Sequence, residues 1–170
     1  MLVLLLSVTA VALCAGLVVP NVCAGLARAR DAQRLEDALA LRGAIEAYYD
    51  ERGCYPEPDA NPAFGGWDVS HDGGFLSSLV EAGFLETSLH DPLDRESFHY
   101  RYYVYEAGEY GCDPEQAFYV LGIKSFETPE YANGEASRFR CGRRDWGQEF
   151  AWVCGGGARP APPDSPARRE

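Results

Sequence analysis

The first 27 residues carry no charged side chain, and the first charge in the chain is Arg28. An uncharged apolar stretch of that length must be covered by lipid or by protein, which restricts the folds open to everything that follows. MLVLLLSVTAVALCAGLVV gives 19 residues before Pro20. As a helix rising about 1.5 Å per residue it spans roughly 28 Å, close to the hydrocarbon core of a bilayer. Ser7 and Thr9 fit such a helix, because their hydroxyls bond back to a carbonyl one turn earlier. A cleaved secretory signal is the rival reading, with a small-residue site at Gly25, Leu26 and Ala27. The stretch is long for that role, however, and no basic residue precedes it. A lipoprotein site at Cys14 is disfavoured by Leu13, where a small residue is expected. The expectation is therefore an uncleaved anchor that crosses a membrane once.

The net charge of -11 falls entirely on residues after that stretch. The composition includes 8 Phe, 10 Tyr and 3 Trp, enough aromatic surface to build a core rather than a disordered tail. Nucleic acid is argued against, since phosphate binding needs a basic stripe. The short cluster Arg138, Arg140, Arg143 and Arg144 reads as solvated surface. Cys14 and Cys23 lie in or beside the apolar run, whereas Cys54, Cys112, Cys141 and Cys154 lie in the polar part. Four cysteines in a small domain suggest two disulfides and an oxidising compartment, and their spacing matches no zinc site. Arg28, Arg30 and Arg34 just after the apolar run favour a cytoplasmic C-terminus by the positive-inside rule. The cysteines argue the other way, and we give them more weight. That places the anchor in the inner (cytoplasmic) membrane with the C-terminal part in the periplasm or at the cell surface.

Residues 22–52 are rich in Ala, Leu, Arg and Glu, all good helix formers. Leu35, Ala38, Leu41, Ile45 and Tyr48 recur at steps of three and four and mark one apolar stripe, with Glu36, Arg42 and Glu46 on the other side. Gly53 and then Pro56 are stop signals. The spacing predicts one helix of about fifty residues, apolar all round in its first half and amphipathic in its second. Pro20 is expected to break or kink it. Residues 54–74 read as an ordered loop pinned by Tyr55, Phe64 and Trp67. Residues 75–86 suit a short helix ending at Gly83, and residues 98–106 and 117–125 read as strands. A last element is expected near residues 149–154. The segments are 1–27 for the apolar half-helix, 28–157 for a globular domain that includes the amphipathic half-helix 28–52, and 158–170 for a Pro-rich tail expected to be disordered.

This layout resembles that of type IV pilins and type II secretion pseudopilins. VVPNV looks like the proline-containing passage of a pilin helix. AIEAYYDERGCYPEP (44–58) resembles the pseudopilin stretch in which the helix ends, with Tyr48, Gly53, Tyr55 and Pro56 in that order. Residues 75–105 resemble the passage that follows it in major pseudopilins. The resemblance covers about residues 1–126 of the chain. It implies an α+β, pilin-like fold, with a long N-terminal helix packed on a small antiparallel sheet. It also implies a structural subunit of a pseudopilus or type IV pilus rather than an enzyme. The implied partners are other pilin or pseudopilin subunits, met through the N-terminal helix, and an inner-membrane assembly machinery. The alternative is a secreted or membrane-tethered, disulfide-bonded binding module. Val3 stands near the position of the family's glutamate, so either an upstream leader or a divergent mode of assembly is expected.

No nucleophile elbow, phosphate loop or zinc-protease pattern occurs. His71, His90 and His99 are scattered in sequence, and His99 is expected to be solvated. Asp91, Asp94 and Glu96 are explained as turn residues beside proline. No cofactor is expected. The resemblance raises calcium as a possible ligand of the loop 125–137, where Glu127, Glu130, Asn133 and Glu135 would supply oxygens. The four outer cysteines allow three pairings. We favour Cys54 with Cys112, and Cys141 with Cys154.

Overall fold

The computed structural model describes the backbone of residues 2–132 and 139–157, and the side chains of residues 22–131 and 139–157. Helix α1 spans Leu2–Arg52, as its helix-forming composition predicts. It stops at Gly53, which takes a φ of 73° and donates its N–H to Tyr49 O at 2.8 Å. The expected break at Pro20 does not interrupt it. Proline removes only its own N–H, and the bonds of the neighbouring turns carry the helix through.

After α1 come strand β1 (Asp68–Val69), helix α2 (Ser77–Glu81), strands β2 (Tyr100–Tyr105) and β3 (Phe118–Ile123), and helix α3 (Pro129–Ala132). A small hairpin of β4 (Arg140–Cys141) and β5 (Arg144–Asp145) precedes β6 (Trp152–Gly157). The main sheet is antiparallel throughout, in the order β1-β2-β3-β6. The chain is thus α+β, a long N-terminal helix on a small antiparallel sheet.

The sheet is covered on both faces. On one face Ala38, Leu41, Ala44 and Ile45 of α1 meet Tyr100, Tyr102, Tyr119, Leu121 and Ile123, with Leu35 and Tyr48 half-buried beside them. The predicted stripe is therefore the packing face. On the other face Trp67, Val69, Phe118, Val120, Trp146, Phe150 and Val153 form a second, largely aromatic cluster. Because β3 lies between the two layers, all six of its residues are buried, which is why it reads as a continuous apolar run. Gly122 and Gly155 make room for the outer layer: a Cβ at either position would collide with the ring of Phe150 or of Phe139.

The single-pass inner-membrane placement is corrected here. Among the described residues no helix is long and apolar enough to cross a membrane, because from Arg28 onward α1 carries a charge every few positions. The side chains of residues 1–21 and the Pro-rich tail 158–170 lie outside the described residues.

Candidate functional site

The stripe of α1 that covers the sheet does not end at Leu35. Its next positions toward the N-terminus are Arg34 and Asp31, and both are fully buried. Asp31 accepts hydrogen bonds from the Glu127 and Thr128 N–H groups and from the Thr128 hydroxyl, at 2.9, 2.8 and 2.7 Å. Arg34 grips Asp91 with two prongs, Nε to Oδ2 at 2.7 Å and Nη2 to Oδ1 at 3.0 Å. Its Nη1 donates to Asp31 at 2.6 Å and to Glu127 at 2.9 Å. Arg30 holds Glu127 from the other side through two bonds of 2.7 and 2.6 Å. Arg34 also lies over the Phe98 ring, 4.8 Å from its centroid.

Burial alone would lower the Arg34 pKa, but the hydrogen bonds to Asp91 and Glu127 reverse this and raise it. Glu127 is held down at about 2, first by the hydrogen bond from Arg30. The network clamps the 91–93 turn and the 126–128 loop to α1 at the level where the helix leaves the sheet. The turn reading of Asp91 holds as well, since its Oδ1 accepts from Leu93 N–H at 2.8 Å. Sequence patterning misses the clamp because charged side chains are ordinarily assigned to water. The available signal is that Asp31 and Arg34 continue the spacing of three and four set by residues 38, 41, 45 and 48.

N-terminal to the clamp α1 emerges from the domain. Residues 22–26 are all exposed, and Val22 and Leu26 are each 54% exposed, four residues apart on one side of the helix. Cys23, between them, is an exposed free thiol.

The disulfide pairing differs from the expectation. Cys112 is joined to Cys141, with their Cα atoms 4.9 Å apart, whereas Cys54 is exposed and free and Cys154 is buried and free. The sheet explains why. Cys154 points into the layer under α1, while Cys112 and Cys141 pack against the opposite layer, so the sheet itself separates Cys141 from Cys154. Of the four oxygen donors considered for calcium, Glu127 is taken by Arg30 and Arg34, and Glu130 pairs with Arg28 at 2.9 Å. Asn133 and Glu135 lie outside the described residues, as does Arg138. Among the described residues no three His, Cys, Asp or Glu side chains are grouped to hold a metal ion. Of the basic cluster, Arg140 and Arg143 are exposed as expected. Arg144 is instead half-buried, over the rings of Tyr110 and Trp146 and bonded twice to Glu149.

The solvated reading of His99 is also overturned. His99 is fully buried, 4.7 Å from the His71 ring, and its Nε2 accepts from Arg101 Nε–H at 2.7 Å. Burial first, and then the Arg101 charge, lower its pKa from the ordinary 6.5 to about 4. Its contribution to stability is therefore complete above 6.5 and is lost as pH falls through 4. Asp68 acts in the opposite sense. Burial raises its carboxyl to about 6, so its contribution is present at acid pH and is lost as pH rises through that value. His99→Gln keeps an acceptor for Arg101 but cannot titrate, and it leaves Asp68 in place. The gap in melting temperature between wild type and His99→Gln is expected to narrow as pH is lowered from neutral toward about 4. Parallel curves would show that His99 binds its proton equally well folded and unfolded, so that burial does not lower its pKa.

Set beside protein-family models, curated proteins and solved structures, the chain has no match in any of the three.

Proposed function

We propose that this chain is a structural subunit of a pilin-like filament, of the kind represented by type II secretion pseudopili and type IV pili. One observation carries the reading: α1 starts at Leu2, yet its first fully buried described side chain is Asp31. The helix is far longer than the sheet it packs on, and Val22 and Leu26 stand uncovered on the emerging part. Apolar side chains one turn apart on an emerging helix are well covered by a second such helix, in ridges-into-grooves packing. Repeated from copy to copy, that contact builds a bundle with the sheet domains on its outside. The order of motifs along residues 44–105 supports the same reading. The role assigned is structural, with other pilin or pseudopilin subunits as partners and an assembly machinery that feeds subunits into the filament.

The test uses the full-length chain, sedimented over a concentration series and viewed by negative-stain electron microscopy. Wild type is expected to form pelletable fibres. Leu26→Asp is expected to lower the pelleted fraction about tenfold, the effect of roughly 1.4 kcal/mol per contact. Leu26 lies outside the domain core, so the unfolding midpoint of the domain should not move. A wild-type chain that stays monomeric throughout, or a Leu26→Asp variant that pellets as wild type does, would overturn the proposal. The first of these outcomes would favour a disulfide-bonded binding module.

A further inference from the structure

Sheet register gathers a set of donors that the sequence scatters. Val69 lies opposite Arg101, and Tyr100 lies opposite Ile123. Followed outward, the same ladders bring His71 beside His99, and His99 beside Lys124, whose N–H donates to His99 O at 3.0 Å. Side chains alternate along a strand, so His99 and Arg101 share the sheet face turned away from α1. Phe64 closes the group, its ring centroid 5.0 Å from that of His71 and 5.3 Å from the Arg101 guanidinium carbon.

Charge on this face is only partly compensated, by the field of Glu149. Arg101 is half-buried and forms no ion pair among the described residues. Its Nε–H is committed to His99, and its two terminal nitrogens are neither bonded there nor sealed from solvent. Burial lowers the Arg101 pKa, and the charge of Glu149 only partly opposes this. Lys124 Nζ meets a backbone carbonyl, Glu149 O, at 3.2 Å, and lies 5.9 Å from the centroid of the Phe150 ring. The Glu149 carboxylate is itself held by two bonds of 2.8 Å from Arg144. His71 Nδ1 is buried in the same group without a hydrogen-bond partner among the described residues. In a chain of net charge -11, two half-buried cations have no ion-paired carboxylate among the described residues.

We propose that this face binds an oxyanion, a carboxylate or a phosphate, seated end-on against the Arg101 fork with Lys124 as its second contact. A guanidinium presents parallel N–H groups that match two coplanar oxygens, and here its plane is held by His99 on one side and Phe64 on the other. His99 acts as a positioning residue. Its Nε2 must be unprotonated to accept from Arg101, so the fork stays aimed while His99 is neutral. The other groups facing it are His71, Lys124 and Arg95, whose carbonyl meets His99 Nδ1 at 3.4 Å. The anion comes either from solution or from an acidic side chain of another protein.

Isothermal titration calorimetry on the full chain at low ionic strength separates these sources, with inorganic phosphate in one arm and a terminally blocked Glu-Glu-Glu peptide in the other. Saturable one-site binding of either probe is expected: phosphate alone indicates a free anion, and the peptide alone an acidic partner. Arg101→Gln should weaken binding at least about tenfold, and Arg101→Lys, which keeps the charge but not the fork, several-fold. Should Arg101→Gln fail to fold, Arg101→Lys and Lys124→Ala carry the comparison. The proposal falls if neither probe saturates, or if the folded variants bind as tightly as wild type.

Discussion

Replacing Arg34 with methionine is expected to cost the domain about 3–5 kcal/mol, measured as a shift in the midpoint of urea unfolding at unchanged slope. The apolar stem is retained, so the loss comes from the charges left behind. Asp31 would keep three donors from Glu127 and Thr128. Asp91 would be reduced to the Leu93 N–H alone, 3% exposed and with no cation opposite. A buried carboxylate in that position is the costly species. For that reason the double variant Arg34→Met with Asp91→Asn should recover a substantial part of the loss, a coupling that only neighbouring residues display. A cost below about 1 kcal/mol for the single variant would mean that the clamp behaves like a surface ion pair.

The second large effect belongs to the disulfide. Cys112 and Cys141 are 29 positions apart, and closing a loop of that size is worth about 3.5 kcal/mol in the chain-entropy description. Cys112→Ser with Cys141→Ser should lower unfolding stability by that order, and reduction of wild type should give the same shift. Non-reducing peptide mapping is expected to recover Cys112 joined to Cys141. A map joining either of them to Cys54 would contradict the bond, and one joining either to Cys154 would contradict the arrangement of the two core layers as well.

What could be read from residues alone follows from which interactions are local. The helix, its stop at Gly53 and the stripe from Leu35 to Tyr48 depend on a 3.6-residue period and on glycine chemistry, and all appear where the pattern places them. The strands at 100–105 and 118–123 lie within their predicted stretches for the same reason. The clamp joins Arg34 to residues 57 and 93 positions away, and no local pattern encodes such a meeting. The pairing of Cys141 with Cys154 fails because the linear sequence does not tell which side of the sheet each cysteine faces. The histidines looked isolated because β1, only two residues long, lies hidden in a stretch that reads as loop. Without it nothing in the sequence places His71 beside His99.

The position of the clamp has a mechanical consequence. A tension applied to the N-terminal part of α1 meets the exposed Arg28–Glu130 pair and then enters the domain at Arg30, Asp31 and Arg34, the first residues in the buried network. There the load runs along the helix axis, across several hydrogen bonds stretched together rather than one after another. Bonds loaded in parallel share the force, whereas bonds peeled in series fail singly. The apolar contacts of Ala38, Leu41 and Ile45 lie behind this junction and are shielded until it gives way. A single-molecule pull on the N-terminus should therefore show one high-force rupture followed by easy unravelling of the sheet. The rupture should drop in Arg34→Met, and it is the arginine junction, not the greasy interface behind it, that sets how hard the domain can be tugged.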